Sequence, residues 1–256
     1  MLIGIKGNAV PCAFCGEPFQ KPHRPRSGEH AWAKWLADYL GGEGEQFTHY
    51  VRHPETEEVL KRWTSATLGV VAGKVCEPCN TGWMEASENA ARPFLTSMIV
   101  GNRRTYYEHG QTVLAAWAVK TALALHLAIP DADPLPEGHY RALAANPERP
   151  PEATQVFIAA YEGPFHAHCK PRLFTMETSA GTAADGYVMT FFVRHAVFQV
   201  FGYVHEEPIA LTKRGTLAHA TAQIWPVLGP VEFPPRLILQ WGGFRQLAMP
   251  PEPEAA

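Results

Sequence analysis

The stretch "CEPCNTGWMEASEN", residues 76–89, sets a CxxC pair directly against Asn80 and then runs into a helical segment that carries a second asparagine, Asn89. A lone CxxC fits a redox pair, half of a metal site, or two cysteines that merely pack. A second pair, "CAFC" at residues 12–15, narrows the choice. Of five cysteines, Cys12, Cys15, Cys76 and Cys79 fall into two CxxC turns and Cys169 is left over. Four thiolates from two tight turns, each about 2.3 Å from the ion, complete a closed tetrahedral Zn2+ site with no open position, so the expected role is structural. The 60-odd residues between the pairs mean that tertiary structure must bring them together. A thiol oxidoreductase would set its CxxC at a helix start in a thioredoxin-like βαβ unit, and two such motifs here would be unusual.

The chain has 256 residues, 46% hydrophobic, with a formal net charge of −3. That balance suits one large domain or two small ones with a true core. It excludes a strongly basic nucleic-acid binder, so any contact with phosphate must rest on a local patch. "MLIGIKGNAVPC" shows no charged n-region followed by an apolar h-region, which reads as no signal peptide and a cytoplasmic protein with reduced thiols. The longest apolar run, "VLAAWAVKTALALHLAI" at 113–129, contains Lys120 and His126 and reads as a buried helix, with no membrane span.

Upstream of residue 76, "EHAWAKWLADYL" at 29–40 has apolar residues at helical spacing and ends at "GGEGE"; "FTHYVRH" and "ATLGVVAGKV" read as strands. Downstream, "GWMEASENAARPFLTSMI" reads as a helix with Trp83, Ala86 or Ser87, and Ala90 on one side. Beyond residue 110 the character changes. Helices are expected over 111–129 and 135–146, then strands over 154–163, 187–194, 196–205 and 221–227. The division is therefore 1–110, 111–248 with an α+β sheet region, and a disordered Pro- and Glu-rich tail at 249–256. Trp117, Trp225 and Trp241 read as core or edge aromatics, and His166, His168 and Cys169 as a metal-like group with no second cluster to complete it.

Taken in order, "CAFC", "EHAWAKWL" and "CEPCNTGWMEASEN" resemble the HNH endonucleases of the ββα-metal superfamily, nearest to a bacterial and phage group with the pattern CxxC, EHxxPxWL, then CxxCNxGWM and an acidic helix. The resemblance covers about residues 10–95. It implies an N-terminal ββα-metal, treble-clef domain with an insertion, stabilised by zinc, followed by the α+β region with a mainly antiparallel sheet. It implies a metal-dependent endonuclease acting on DNA. His30 would be the general base that activates water, Asn80 would hold the His-bearing loop, and Asn89 would take the place of the last H and bind a divalent ion. Glu29 stands where a metal-binding Asp often precedes the His. Oxygen ligands of this kind suit Mg2+ or Mn2+. The chain departs from the pattern at Ala33, Glu29 and Asn89, and Glu85 and Glu88 on the same helix are alternative ligands.

Lys21, His23, Arg24 and Arg26 in "KPHRPR", with Arg103 and Arg104 beyond the helix, are the candidate nucleic-acid contacts. The C-terminal region is left for target recognition, a homodimer contact or a protein partner. The competing reading is a zinc-stabilised nucleic-acid- or protein-binding module that lacks catalysis.

Overall fold

The protein, seen in a computed structural model, is described at residues 10–40, 47–52, 56, 58–65, 70–129, 132–177, 183–205, 209 and 211–249. In chain order the elements are β1 (Glu29–His30), a 3₁₀ turn (Lys34–Tyr39), β2 (Phe47–Arg52), β3 (Val59–Ser65), β4 (Val71–Ala72), the short helix α1 (Glu77–Cys79), a wide π-type turn (Asn80–Met84) and α2 (Glu85–Ile99). Then follow β5 (Arg104–Tyr106), α3 (Glu108–Leu127), α4 (Glu137–Ala145), β6 (Thr154–Tyr161), β7 (Ala167–Glu177), β8 (Ala183–Val193) and β9 (Ala196–Val204). The chain closes with α5 (Gly215–Ala220), β10 (Thr221–Trp225), β11 (Val231–Phe233), β12 (Ile238–Leu239) and α6 (Trp241–Leu247).

Helix α3 is the centre. Its alanines and leucines are strong helix formers, and because they surround the whole circumference the helix must be buried all round. Every residue from Leu114 to His126 is buried. One side packs on a mixed sheet of strand order β10-β6-β9-β8-β7, antiparallel throughout except that β12 runs parallel to the end of β6. Trp117 stands edge-on to Phe191 and Phe198, with centroids 6.1 and 5.2 Å away. The opposite face of the sheet is covered by the C-terminal segment, where Phe244 and Leu247 of α6 meet Ala159, Tyr161, Phe192 and Val197. With both faces covered, β6, β8 and β9 are buried along nearly their whole length, which is why they read as continuous apolar runs. The chain is thus α+β with a mainly antiparallel sheet.

The apolar core continues from Cys12, Phe14, Trp32 and Leu36 through α2 and α3 to Phe191 and Phe198. Polar links join the same regions. Arg194 Nε donates to the Tyr39 carbonyl at 2.8 Å, and Arg141 Nη1 of α4 donates to the Cys12 carbonyl at 3.2 Å.

The structure differs from the sequence expectations, or adds to them, at the following elements. The helix over 29–40 is cut back to Lys34–Tyr39, because β1 is held extended by pairing with β4 and Ala31 N–H donates to the Val70 carbonyl at 2.8 Å. Trp32, Leu36 and Leu40 still face inward. In α2 the buried residues are Ala91, Leu95, Met98 and Ile99, preceded by Met84 of the π-type turn, while Trp83 packs half-buried against the core, Ser87 is half-buried, and Ala86 and Ala90 are exposed. The non-helical backbone at Gly82 (φ −98°, ψ −110°) and the π-type turn around it shift the helical phase. Strand β7 was not expected because Pro171 interrupts it; β7 is an edge strand paired only with β8 among the described residues, where a missing N–H costs no ladder bond. Of the strand expected over 66–75, only Val71–Ala72 pairs as strand β4, and residues 66–69 lie outside the described residues, as do 250–256 of the expected tail.

Two buried histidines sit between α3, α4 and the sheet. His139 Nδ1 lies 3.0 Å from the Tyr187 hydroxyl and His126 Nδ1 3.4 Å from that of Tyr140. Burial pushes both imidazoles below their ordinary range, His126 to about 4. A histidine kept neutral in the fold but free to protonate when unfolded stabilises the protein above the unfolded pKa of about 6.5, and that stability drains away as pH falls towards 4. Urea unfolding at pH 7 and pH 4.5 should therefore show a loss, of which His126 contributes on the order of 2 to 3 kcal/mol. In His126→Gln this component of the pH slope should vanish.

Candidate metal centre

Local backbone geometry builds each half of the cysteine cluster. In the first turn the Gly16 N–H donates to the Cys12 carbonyl at 3.0 Å and the Cys12 N–H to the Glu17 carbonyl at 2.9 Å. Gly16 takes φ +79°, a left-handed conformation that glycine adopts without a Cβ penalty. In the second, Cys76 is extended (φ −89°, ψ 155°) and its carbonyl accepts from the N–H groups of both Cys79 and Asn80 at 3.1 Å, which folds Cys79 back beside Cys76. The turns are joined where Ala13 N–H donates to the Lys74 carbonyl at 2.8 Å. Phe14 then anchors the first turn edge-on against Trp83 and Tyr140, at 5.4 and 5.2 Å.

The four sulfurs converge within 4.8 Å of one another, with Cys12 and Cys79 at 4.0 Å and Cys15 and Cys76 at 3.7 Å. A disulfide would need about 2.05 Å. A tetrahedron with Zn–S bonds of about 2.3 Å has edges of about 3.8 Å, so the observed spacing fits a four-thiolate ion with little adjustment. Cys12, Cys76 and Cys79 are buried and Cys15 is half-buried. Around the cluster, the hydrogen bond with Cys79 draws Cys12 down to about 4 and raises Cys79 in return, while burial pushes Cys76 up. A divalent cation binds such sulfurs as thiolates, so metal loading would release the thiol protons. The cluster can hold a structural metal such as zinc, and among the described residues no other group of three or more metal-capable side chains comes together.

The other expected residues are placed as follows. Glu29 and His30 lie on β1, paired with Ala72 and Val71 of β4, and their side chains fall outside the described residues. Asn80 is half-buried at the end of α1. Asn89 is exposed in α2, and Pro93, four residues on, has no N–H to give its carbonyl. Glu85 is exposed, whereas the Glu88 carboxylate is held at 2.5 Å by Lys120 Nζ of α3. Lys21 and Arg103 are exposed. Arg26 lies over the Phe19 ring at 4.8 Å, and Arg104 lies over Phe94 and Tyr106 while donating to the Pro93 carbonyl at 3.0 Å. Arg24 turns to the cluster, where Nη1 donates to Cys15 Sγ at 3.4 Å and Cys76 Sγ at 3.6 Å. His168 and Cys169 lie on β7, where the His168 ring packs among Phe192, Trp241 and Phe244.

Two features escaped the sequence reading. Lys120 is fully buried and ion-paired with Glu88, a pairing that its lone charge in the apolar run 113–129 did not disclose. Nothing in the sequence pointed Arg24 at the sulfurs. Compared with models of known protein families, with curated proteins and with solved structures, the chain matches none.

Purified protein should contain about one zinc per chain by elemental analysis, and Cys76→Ser should lose it. A metal at 100 times its dissociation constant adds about 2.7 kcal/mol to folding, so chelation should lower the thermal midpoint measurably. A midpoint indifferent to chelator would remove the structural role.

Proposed function

We propose that the chain is a metal-dependent HNH-type endonuclease hydrolysing phosphodiester bonds in DNA, with a zinc-stabilised ββα-metal clef in residues 1–110 and an accessory region in 111–248. One observation carries the reading. Antiparallel β1 and β4 pair Glu29 with Ala72 and His30 with Val71, and β4 leads directly through Cys76, Cys79 and Asn80 into α2. Strand, strand and helix, with the cysteines at the junction, is the order that the motif sequence calls for.

In this reading His30 takes a proton from the attacking water, a task suited to a side chain whose ordinary pKa is about 6.5. Asn80, braced at the end of α1, orients the loop that precedes His30. Glu29 and the exposed Asn89 offer oxygen donors to Mg2+ or Mn2+, which when bound supplies positive charge for the phosphate and the leaving oxygen. Glu88 already serves Lys120, so Glu85 is the nearer substitute should Asn89 not bind. The zinc stands apart from the reaction because four thiolates close its coordination sphere.

Plasmid nicking by zinc-replete protein should require Mg2+ or Mn2+ and stop in EDTA. His30→Ala should lose about 100-fold or more of the rate, the usual contribution of a general base. Zinc-replete protein that cuts neither duplex, single-stranded DNA nor RNA would leave the non-catalytic binding module as the better account.

A further inference from the structure

The sulfurs of the cluster are surrounded by nitrogen donors. The Cys76 N–H donates to Cys12 Sγ at 3.4 Å. The buried indole N–H of Trp83 faces Cys79 Sγ without closing a hydrogen bond to it or to any other group. Among the described residues the remaining two sulfurs, of Cys15 and Cys76, share one side-chain donor from outside both CxxC turns, Arg24 Nη1. These two belong to different pairs, so the guanidinium bridges the two halves of the site.

Arg24 is also held in place. Gln20 and Arg24 exchange backbone hydrogen bonds at 2.8 and 2.5 Å, the Pro25 carbonyl accepts from Glu77 N–H at 3.0 Å, and Arg26 bridges to Cys76. Residues 24–26 therefore run alongside the second turn, and the guanidinium reaches the sulfurs from a fixed backbone.

Four thiolates on a divalent ion leave a net charge of −2 in a largely buried site, and buried charge without compensation is costly. We propose that Arg24 is the counter-charge of this metal centre and a positioning residue for it. Its guanidinium halves the net charge, ties Cys15 to Cys76, and occupies sulfur lone pairs that an electrophile would otherwise attack. This assignment rests on the metal reading of the cluster and is independent of nuclease activity. It takes Arg24 away from the nucleic-acid contacts to which its neighbours Lys21 and Arg26 remain candidates.

The test measures zinc affinity by competition with a chromophoric chelator, and the rate of zinc release when N-ethylmaleimide alkylates the thiolates. Arg24→Gln should bind zinc about 10- to 100-fold more weakly, the usual effect of losing a partner of a metal ligand, and should release it faster on alkylation. Arg24→Lys, with the charge but not the fork, should fall between. Arg26→Gln, whose guanidinium sits on Phe19, should leave both quantities unchanged. Visible absorption of the cobalt-loaded variants reports whether the site remains tetrahedral, and if Arg24→Gln does not fold, Arg24→Lys decides. Wild-type affinity and release rate in the folded Arg24 variants overturn the proposal, and so does a loss of DNA binding with zinc binding unchanged. A wild-type protein that binds no zinc overturns the metal reading itself, which separates the two failures.

Discussion

Enclosure of α3 is the constraint on which the other elements depend. A helix apolar around its whole circumference cannot rest on a surface, so the chain must supply walls for it. The sheet makes one wall and α2 another, and the first cysteine turn is pinned into the same core by Phe14. The price of that enclosure falls at Lys120, the one charged side chain in the buried stretch of α3, which is compensated by Glu88 of α2. Removing one partner of such a pair would leave a buried charge, a loss of about 3 to 5 kcal/mol.

Much of this was legible in the sequence where one physical signal dominated. Helix α3 and strands β6, β8 and β9 are long apolar runs whose type is set by Ala and Leu content in one case and by β-branched and aromatic content in the others. The cysteine cluster was legible because two CxxC turns leave few other uses for four thiols in a reduced chain. Reading failed where long-range pairing overrode local pattern. The apolar spacing in 29–40 is helical from Trp32 onward, but the ladder with β4 claims Glu29 and His30 and the helical turn starts only at Lys34. The inward face of α2 does not follow from the residues just after Cys79 by one unbroken period, because the π-type turn Asn80–Met84, non-helical at Gly82, precedes it. Strand β7 was hidden by Pro171, which is tolerated only because that strand lies at an edge.

Side-chain direction was the least legible property. "KPHRPR" reads as a basic cluster facing solvent, yet Arg24 and Arg26 each have a specific neighbour, a pair of sulfurs and an aromatic ring. Arg104 is likewise laid over Phe94 and Tyr106. Counting cations along a sequence gives their number but not the share available to a polyanion. In this chain a good part of the positive charge near the proposed site is spent on the protein itself.

Strands β2 and β3 pair only with each other among the described residues, and they lie in the excursion between β1 and β4, two strands that sit side by side. The ends of that excursion are therefore already closed by the fold, and a twofold change in its length would cost only about 0.6 kcal/mol in closure entropy. A change of length here acts first on the ribbon, whose strands share no ladder with the strands flanking the cysteine turns or with the sheet under α3. In practical terms the ribbon is the place to carry a reporter or an affinity tag.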